Sequence, residues 1–208
     1  MKNLRTILNS FTEEDFLTKV NLHIHTSYSD GKGDCRQILN SARNKGYELI
    51  SITDHNTVEA HHEIQDSILL TGVEFDCWYG YVFIHLLAYG IDINNKDIKP
   101  FLAKSKKDTE DVLPRLFAKR NLKDLIQAIH NAGGIAVLAH PACCWAIRLD
   151  KLVENLIHIG LDGIEVYYPY PRFRKIAKFH SAEKVLKIAE KYPQLIKTGG
   201  SDFHEEEF

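Results

Sequence analysis

Short apolar runs recur along the chain, separated by amphipathic or polar stretches. Val20–His25, Leu49–Thr53, Ile68–Val73, Tyr81–Tyr89, Ile135–Ala139, Gly163–Tyr167 and Leu195–Thr198 read as buried strands. Between them, Asp34–Lys45, Thr57–Gln65, Leu122–Asn131, Leu149–Ile159 and Arg172–Lys191 carry helical periodicity, and Gly46, Gly133–Gly134 and Gly160 stand where helices end. Strands alternating with helices predict parallel pairing through right-handed crossovers, and so an α/β sheet or barrel. Tyr81–Tyr89 can instead pair antiparallel with the run before it, across the turn Trp78-Tyr79-Gly80. Residues 92–121 break the pattern: they are polar and lysine-rich, with helices expected over Lys96–Lys106 and Thr109–Ala118, interrupted by Pro114. This stretch is expected to be an insertion over the barrel mouth, within one domain spanning residues 1–208.

Composition narrows the function classes. A formal net charge of −2 over 208 residues offers no overall basic face for duplex nucleic acid. Glu13, Glu14 and Asp15 interrupt the first 20 residues, so no secretory signal is expected there. Nor is any apolar run near the ~18 residues that a membrane helix needs. The cysteines (Cys35, Cys77, Cys143, Cys144) form no C-x-x-C pair, which fits free thiols and a cytoplasmic protein.

Histidine is the unusual component, at 11 residues. His23 and His25 sit two apart at the end of a strand, so both imidazoles face one side. Asp202 and His204 repeat that spacing near the other end of the chain. His55 and His140 follow apolar runs, Glu74 follows Gly72-Val73, Asp30 lies in a Ser-Asp-Gly turn, and His85 falls within a strand. Strand ends at one rim are where α/β folds build active sites. Taken singly, each residue has an ordinary explanation: Asp54 and Thr53 as caps, Asp30 as a turn residue, a lone histidine as a hydrogen-bonded core residue. Together, nine imidazole and carboxylate donors exceed what one zinc can use and suit two or three divalent ions of Zn, Mn or Fe type. Three carboxylates (Asp30, Glu74, Asp202) would leave such a cluster positive, and a phosphate ester is the natural anion for it. His61, His62, His130, His158 and His180 lie on predicted helices and read as solvated or packed side chains.

These residues, in this order, resemble the PHP (polymerase and histidinol phosphatase) family. The matching segments are Asn21–Thr26, Ser29–Gly31, Ile52–His55, Gly72–Glu74, His85–Gly90, Ala139–Pro141 and Gly200–His204. The resemblance implies a distorted (β/α)7 barrel, a trinuclear metal centre and phosphoester hydrolysis by metal-activated hydroxide. It assigns His23, His25, Asp30, His55, Glu74, His85, His140, Asp202 and His204 as ligands, with Glu74 bridging and with Glu74, Asp202 and His204 at the reaction centre. Asp54 would orient a ligand from behind. Asn21 departs from the family, which usually has Asp there; an amide can bond a ligating histidine but cannot raise its basicity as a carboxylate does. The segment Tyr168-Pro169-Tyr170-Pro171 and the short insertion also depart from relatives, and the short insertion implies a more open pocket.

Phosphate needs further donors, and Arg148 is the first candidate because guanidinium grips phosphate through two parallel bonds. Lys32, Arg115 and Arg120 are weaker candidates, and Trp145, Tyr167, Tyr168 and Tyr170 could stack on a base. The leading expectation is a phosphatase of small monoesters: a nucleotide, nucleoside bisphosphate, sugar phosphate or histidinol phosphate. The alternatives are an exonuclease on oligonucleotide ends, a catalytically silent metal-bound module, or amide or lactone hydrolysis. Nucleic acid is expected only as substrate, and no membrane or obligate protein partner is expected.

Overall fold

Each of the seven β-type runs forms a strand, and the strands lie in chain order across one sheet. They are β1 Val20–Ile24, β2 Leu49–Ile52, β3 Leu69–Tyr79, β4 Val82–Tyr89, β5 Ile135–Leu138, β6 Gly163–Tyr167 and β7 Ile196–Gly199. The structure is a computed structural model and describes residues 2–169 and 179–208. β1–β2, β2–β3, β5–β6 and β6–β7 pair parallel, whereas β4 runs antiparallel to both β3 and β5. A parallel bridge between Ile24 and Phe203 brings the segment after β7 beside β1. There the His25 N–H donates to the Phe203 carbonyl at 2.8 Å, and the Phe203 N–H donates to the His23 carbonyl at 3.1 Å. The sheet therefore closes into a distorted barrel. Closure depends on Gly200, because a Cβ at that position would stand 2.4 Å from the Cβ of His23.

Among the described residues the helices are α1 Lys2–Ser10, α2 Glu13–Thr18, α3 Cys35–Asn44, α4 Glu59–Glu63, α5 Lys107–Glu110, α6 Val112–Leu116, α7 Leu122–Asn131, α8 Leu149–His158 and α9 Ala182–Lys191. Local chemistry sets their starts: Thr12 with Asp15, and Asp34 with Gln37, form reciprocal capping boxes at α2 and α3. Gly46 follows α3 at φ +81°, the left-handed position its sequence context assigns it. No helix among the described residues is long and apolar enough to cross a membrane.

Three apolar clusters hold these layers together. The largest packs β3–β6 under α7 and α8, with Phe75, Leu86, Leu138, Ile126 and Leu156 buried. A second joins β1 and β4 to Leu8 of α1 and Phe16 of α2, so the N-terminal helices plug the barrel at the start of its parallel strands. Each such large side chain contributes roughly 1.5–3 kcal/mol when fully buried. The third cluster packs α3 and α4 against β1 and β2. The opposite end stays free for polar chemistry.

Three elements differ from the sequence reading. β3 continues to Tyr79, so β3 and β4 form a long hairpin and Trp78-Tyr79 belongs to the strand, not the turn. The insertion holds only a 3-10 turn at Lys99–Phe101 and the short α5 and α6. Pro114 fits within the first turn of α6, where its missing N–H leaves no bond unmade. The last expected helix begins at Ala182; residues 172–178 of that expectation lie outside the described residues.

Candidate metal centre

Every one of the nine candidate donors converges on the open end of the barrel. His23 and His25 project from the end of β1 and are fully buried. Glu74 lies inside β3, not at its end, and is the hub of the arrangement. Its Oε2 is 3.2 Å from Nε2 of both His23 and His25 and 3.4 Å from Nδ1 of His55. Its Oε1 is 2.9 Å from Nδ1 of His85 and 3.4 Å from Nε2 of His140. Asp202 completes the inner side, with Oδ1 3.4 Å from His23 Nε2 and 3.2 Å from His25 Nε2. On the outer side His204 Nε2 lies 3.2 Å from Asp30 Oδ1, and Asp30 Oδ2 lies 3.6 Å from His55 Nε2. Asp30 and His204 are the partly solvent-open members, at 28% and 30% side-chain exposure.

The donors fall into overlapping sets able to hold cations: His23, His25, Glu74 and Asp202; Glu74, His85 and His140; His25, Asp30, His55 and His204. Nε2 of His23 and His25, Nδ1 of His55, Oε2 of Glu74 and both ring nitrogens of His140 are buried without a hydrogen bond. Buried polar atoms are ordinarily bonded, and such a concentration of unbonded ones fits a group of divalent ions.

Charge follows the same geometry. Burial opposes a charged His23, yet the carboxylates of Glu74, Glu165 and Asp202 hold its imidazolium well above the ordinary histidine range. Burial likewise opposes a charged His25, and the neighbouring Asp202 and Glu74 lift it to about 9. Burial pushes His55 well down and His140 down, so both stand as neutral lone-pair donors. Burial favours a neutral Glu74, but the imidazoles of His23, His85 and His55 hold its carboxyl well below the usual range.

A pH dependence follows. His25 gains a proton partner on folding, so in chelator-treated protein its contribution to stability is complete below about 6.5 and is lost as pH rises through about 9. Ligation requires the proton to leave. Zinc affinity is therefore expected to rise with pH across that window, with net proton release measured by calorimetry in buffers of different ionisation enthalpy. Binding that is independent of pH from 6.5 to 9 would contradict this assignment.

Behind the donors, the supports differ from the sequence reading. Asn21 makes its side-chain hydrogen bonds to groups other than the His23 ring. Its carbonyl accepts the His23 and Ser201 backbone N–H groups at 3.2 and 3.1 Å, and its amide donates to Ser201 Oγ at 2.7 Å. The ring of His23 is met instead by a carboxylate, with Nδ1 3.1 Å from Glu165 Oε1. The basicity that the amide cannot supply therefore comes from another strand. Asp54 bonds the segment between His25 and Asp30. It accepts from the Thr26 N–H and hydroxyl at 2.7 and 2.6 Å and from Ser29 Oγ at 2.6 Å, tying down the turn that carries Asp30. Glu165 Oε2 also accepts the His140 N–H at 2.7 Å, and Tyr168 donates to Asp202 Oδ2 at 2.8 Å. His140 and Asp202 both hold positive φ, 25° and 51°, a strained backbone that these bonds help to fix. Glu165→Gln is expected to weaken metal affinity by about 10- to 100-fold while the protein stays folded, as equilibrium dialysis and circular dichroism would record.

Sequence reasoning passed over Asp76, Glu165 and the importance of Arg115. Asp76 is two residues from Glu74 on the same strand face, and the hairpin register sets it opposite His85. Its Oδ1 is 3.2 Å from His85 Nε2 and 3.5 Å from His55 Nδ1, making a further donor group. The i, i+2 spacing was the available signal, hidden because β3 was expected to end sooner. Arg115, from α6, donates to Asp30 Oδ2 at 2.7 Å and to Asp76 Oδ2 at 3.1 Å. Arg148 is not brought to the cluster. It is exposed at the start of α8 and pairs with Asp150 at 2.9 Å, since that helix begins at the outer surface. Trp145 is exposed and Tyr167 stacks on Phe16. Tyr170 lies outside the described residues.

The extra groups revise the charge balance. Asp30, Glu74, Asp76, Glu165 and Asp202 bring five negative charges against the one positive charge of Arg115, a formal −4. Two divalent ions neutralise that set; only a third leaves the positive surplus expected from three carboxylates.

A cavity of about 290 Å³ opens over the donors. Its lining combines Asp30, His55, His85, Arg115 and His140 with Phe83, Val112, Leu116 and Cys143.

A PHP domain profile matches residues 21–200, and the chain belongs to the PHP domain family. Phosphoribosyl 1,2-cyclic phosphate 1,2-diphosphodiesterase of Eggerthella lenta is 22% identical over 258 aligned positions, covering 88% of this chain and 93% of that protein. Among solved structures, an amidohydrolase from Chromobacterium violaceum with bound sulfate and no metal superposes with a TM-score of 0.70 at 20% identity, covering 90% of this chain and 88% of the other. A Bifidobacterium adolescentis protein described as a metal-dependent phosphoesterase gives a TM-score of 0.67 at 23% identity, covering 91% and 88%.

Proposed function

We propose that this protein is a metal-dependent phosphoesterase that hydrolyses a small phosphate monoester. The observation that carries this reading is Glu74: one buried carboxylate within 3.4 Å of five imidazoles, three of which (His55, His85 and His140) line a small cavity. His23, His25, Glu74 and Asp202 would hold one ion, Glu74, His85 and His140 a second, and Asp30, His55 and His204 a third. Bound divalent ions of Zn, Mn or Fe type supply an acidified water and charge neutralisation for phosphoryl oxygens.

This chain's residues do the rest. Glu74 and Asp202 fix the inner imidazoles by charge. Burial excludes water around His23 and His25, while the more open Asp30 and His204 face the side from which substrate enters. The apolar wall of Phe83, Val112 and Leu116 would receive the organic part of the ester. A volume of 290 Å³ suits a small molecule, and the chain's formal charge of −2 provides no evident track for a polymer. Four cysteines outside any disulfide accord with a cytoplasmic setting.

The relatives' names leave two other ester and amide classes to test. Metal-loaded protein should therefore be assayed on sugar phosphates, nucleotides, nucleoside bisphosphates, histidinol phosphate, a cyclic phosphate diester, a short oligonucleotide and an acyl amide. Turnover of a monoester well above the diesters is the expected result. Activity confined to the oligonucleotide, the cyclic diester or the amide would overturn the proposal, as would no activity at all.

A further inference from the structure

Arg115 is out of place for an ordinary salt-bridge residue. It projects from a short helix whose Val112 and Leu113 are exposed, yet its own side chain is only 7% exposed. Its guanidinium is divided among three acceptors. Nε donates to Asp76 Oδ2 at 3.1 Å, Nη1 to Asp30 Oδ2 at 2.7 Å, and Nη2 meets His55 Nε2. Asp30 and His55 belong, with His25 and His204, to the outermost cation-holding set. Asp76 does not.

The lone pairs decide what this arrangement means. A neutral imidazole nitrogen has one lone pair in the ring plane, so His55 Nε2 can accept from the guanidinium or ligate a cation, and cannot do both. The other nitrogen of His55 faces Glu74 and Asp76, at 3.4 and 3.5 Å, whereas Nε2 is the one that lies 3.6 Å from Asp30 Oδ2. Asp30 keeps its other oxygen toward His204, at 3.2 Å, but a guanidinium at 2.7 Å from Oδ2 repels an incoming divalent ion.

We propose that Arg115 and a divalent cation compete for the Asp30–His55–His204 subsite. Loading that subsite would turn the guanidinium off Asp30 and His55 while Asp76 retains it. The two sets that contain Glu74 itself include no partner of Arg115, so their ions would bind first and the outer ion last and weakest. Because the outer ion is also the one that makes the formal charge positive, Arg115 would set how readily the centre becomes attractive to an anion. The inference rests on the reading of the cluster as a metal centre.

The test is a calorimetric zinc titration of chelator-treated wild-type protein and Arg115→Met, with melting temperatures taken with and without zinc. In the variant the weakest zinc site is expected to tighten by about tenfold, a difference of one charge–charge contact. The gain in melting temperature on adding zinc should also be larger in the variant, whereas loss of a merely structural contact would lower both melting temperatures alike. Arg115→Lys, whose single ammonium cannot span both acceptors, should tighten the same site less and serves if the Met variant does not fold. If wild type binds zinc and neither variant binds it more tightly, this inference falls alone. If no form binds zinc, the metal-centre reading falls and takes this inference with it.

Discussion

Glu74→Gln is expected to abolish phosphoesterase activity and to release at least two metal ions together, with the fold retained. The substitution keeps the shape of the side chain and removes one negative charge from a point shared by His23, His25, His55, His85 and His140. Residues behind metal ligands typically cost about 10- to 100-fold in affinity when altered, and a carboxylate shared between two donor sets should cost more than that. An amide also presents an N–H on one side, pointing a donor at imidazoles that must themselves offer lone pairs. Metal analysis after dialysis, paired with a steady-state assay, checks both halves of the expectation. Retention of wild-type metal content would sink the view of Glu74 as the hub.

Asp202→Asn should produce the second-largest effect, concentrated on the innermost donor set. Asp202 Oδ1 lies within 3.4 Å of both His23 and His25, and its other oxygen is held by the Tyr168 hydroxyl. Losing its charge should weaken the ion held by that set and lower kcat by on the order of 100-fold, comparable to removing one preorganised charge-stabilising group elsewhere. Tyr168→Phe is the internal control. It leaves the carboxylate in place and removes one hydrogen bond, so a much smaller loss, of about tenfold or less, is expected. Equal losses in the two variants would mean that the placement of Asp202, not its charge, governs the site.

Much of this arrangement was legible in the sequence because strand periodicity and donor spacing point the same way. His23 and His25 are two apart on a strand, and that alone sets both rings on one face. The strand runs around His55, His140 and Asp202 then place those residues at a common rim. The supports were harder to read because they depend on pairings distant in sequence. Glu165 lies 142 residues from His23 and looks like any residue of the GIEVY strand until β6 is placed. Asp76 was hidden by a local error: an aromatic Trp-Tyr pair before Gly80 looks like a turn but extends the hairpin. Arg115 sits on an insertion with weak periodicity, and only the closed fold brings it to Asp30, 85 residues away. Arg148 failed for the converse reason. Nearness to His140 in sequence says little once a 3-10 turn and the start of α8 carry the chain outward.

Asn21 illustrates how an apparent departure can be absorbed. Read alone, an amide on the face of His23 removes a carboxylate from behind a ligand. In the folded chain Glu165 supplies that carboxylate, and Asn21 instead ties β1 to Ser201, next to the segment that closes the barrel. The loss predicted for metal affinity therefore moves from Asn21 to Glu165.

The central claim is that the buried donors around Glu74 hold divalent ions, and anomalous diffraction tests it most directly. Crystals equilibrated with zinc and measured at the zinc edge should show at least two peaks flanking Glu74, one among His23, His25 and Asp202 and one beside His85 and His140. A map with zinc only at surface histidines such as His62 or His158, and none beside Glu74, would contradict the account.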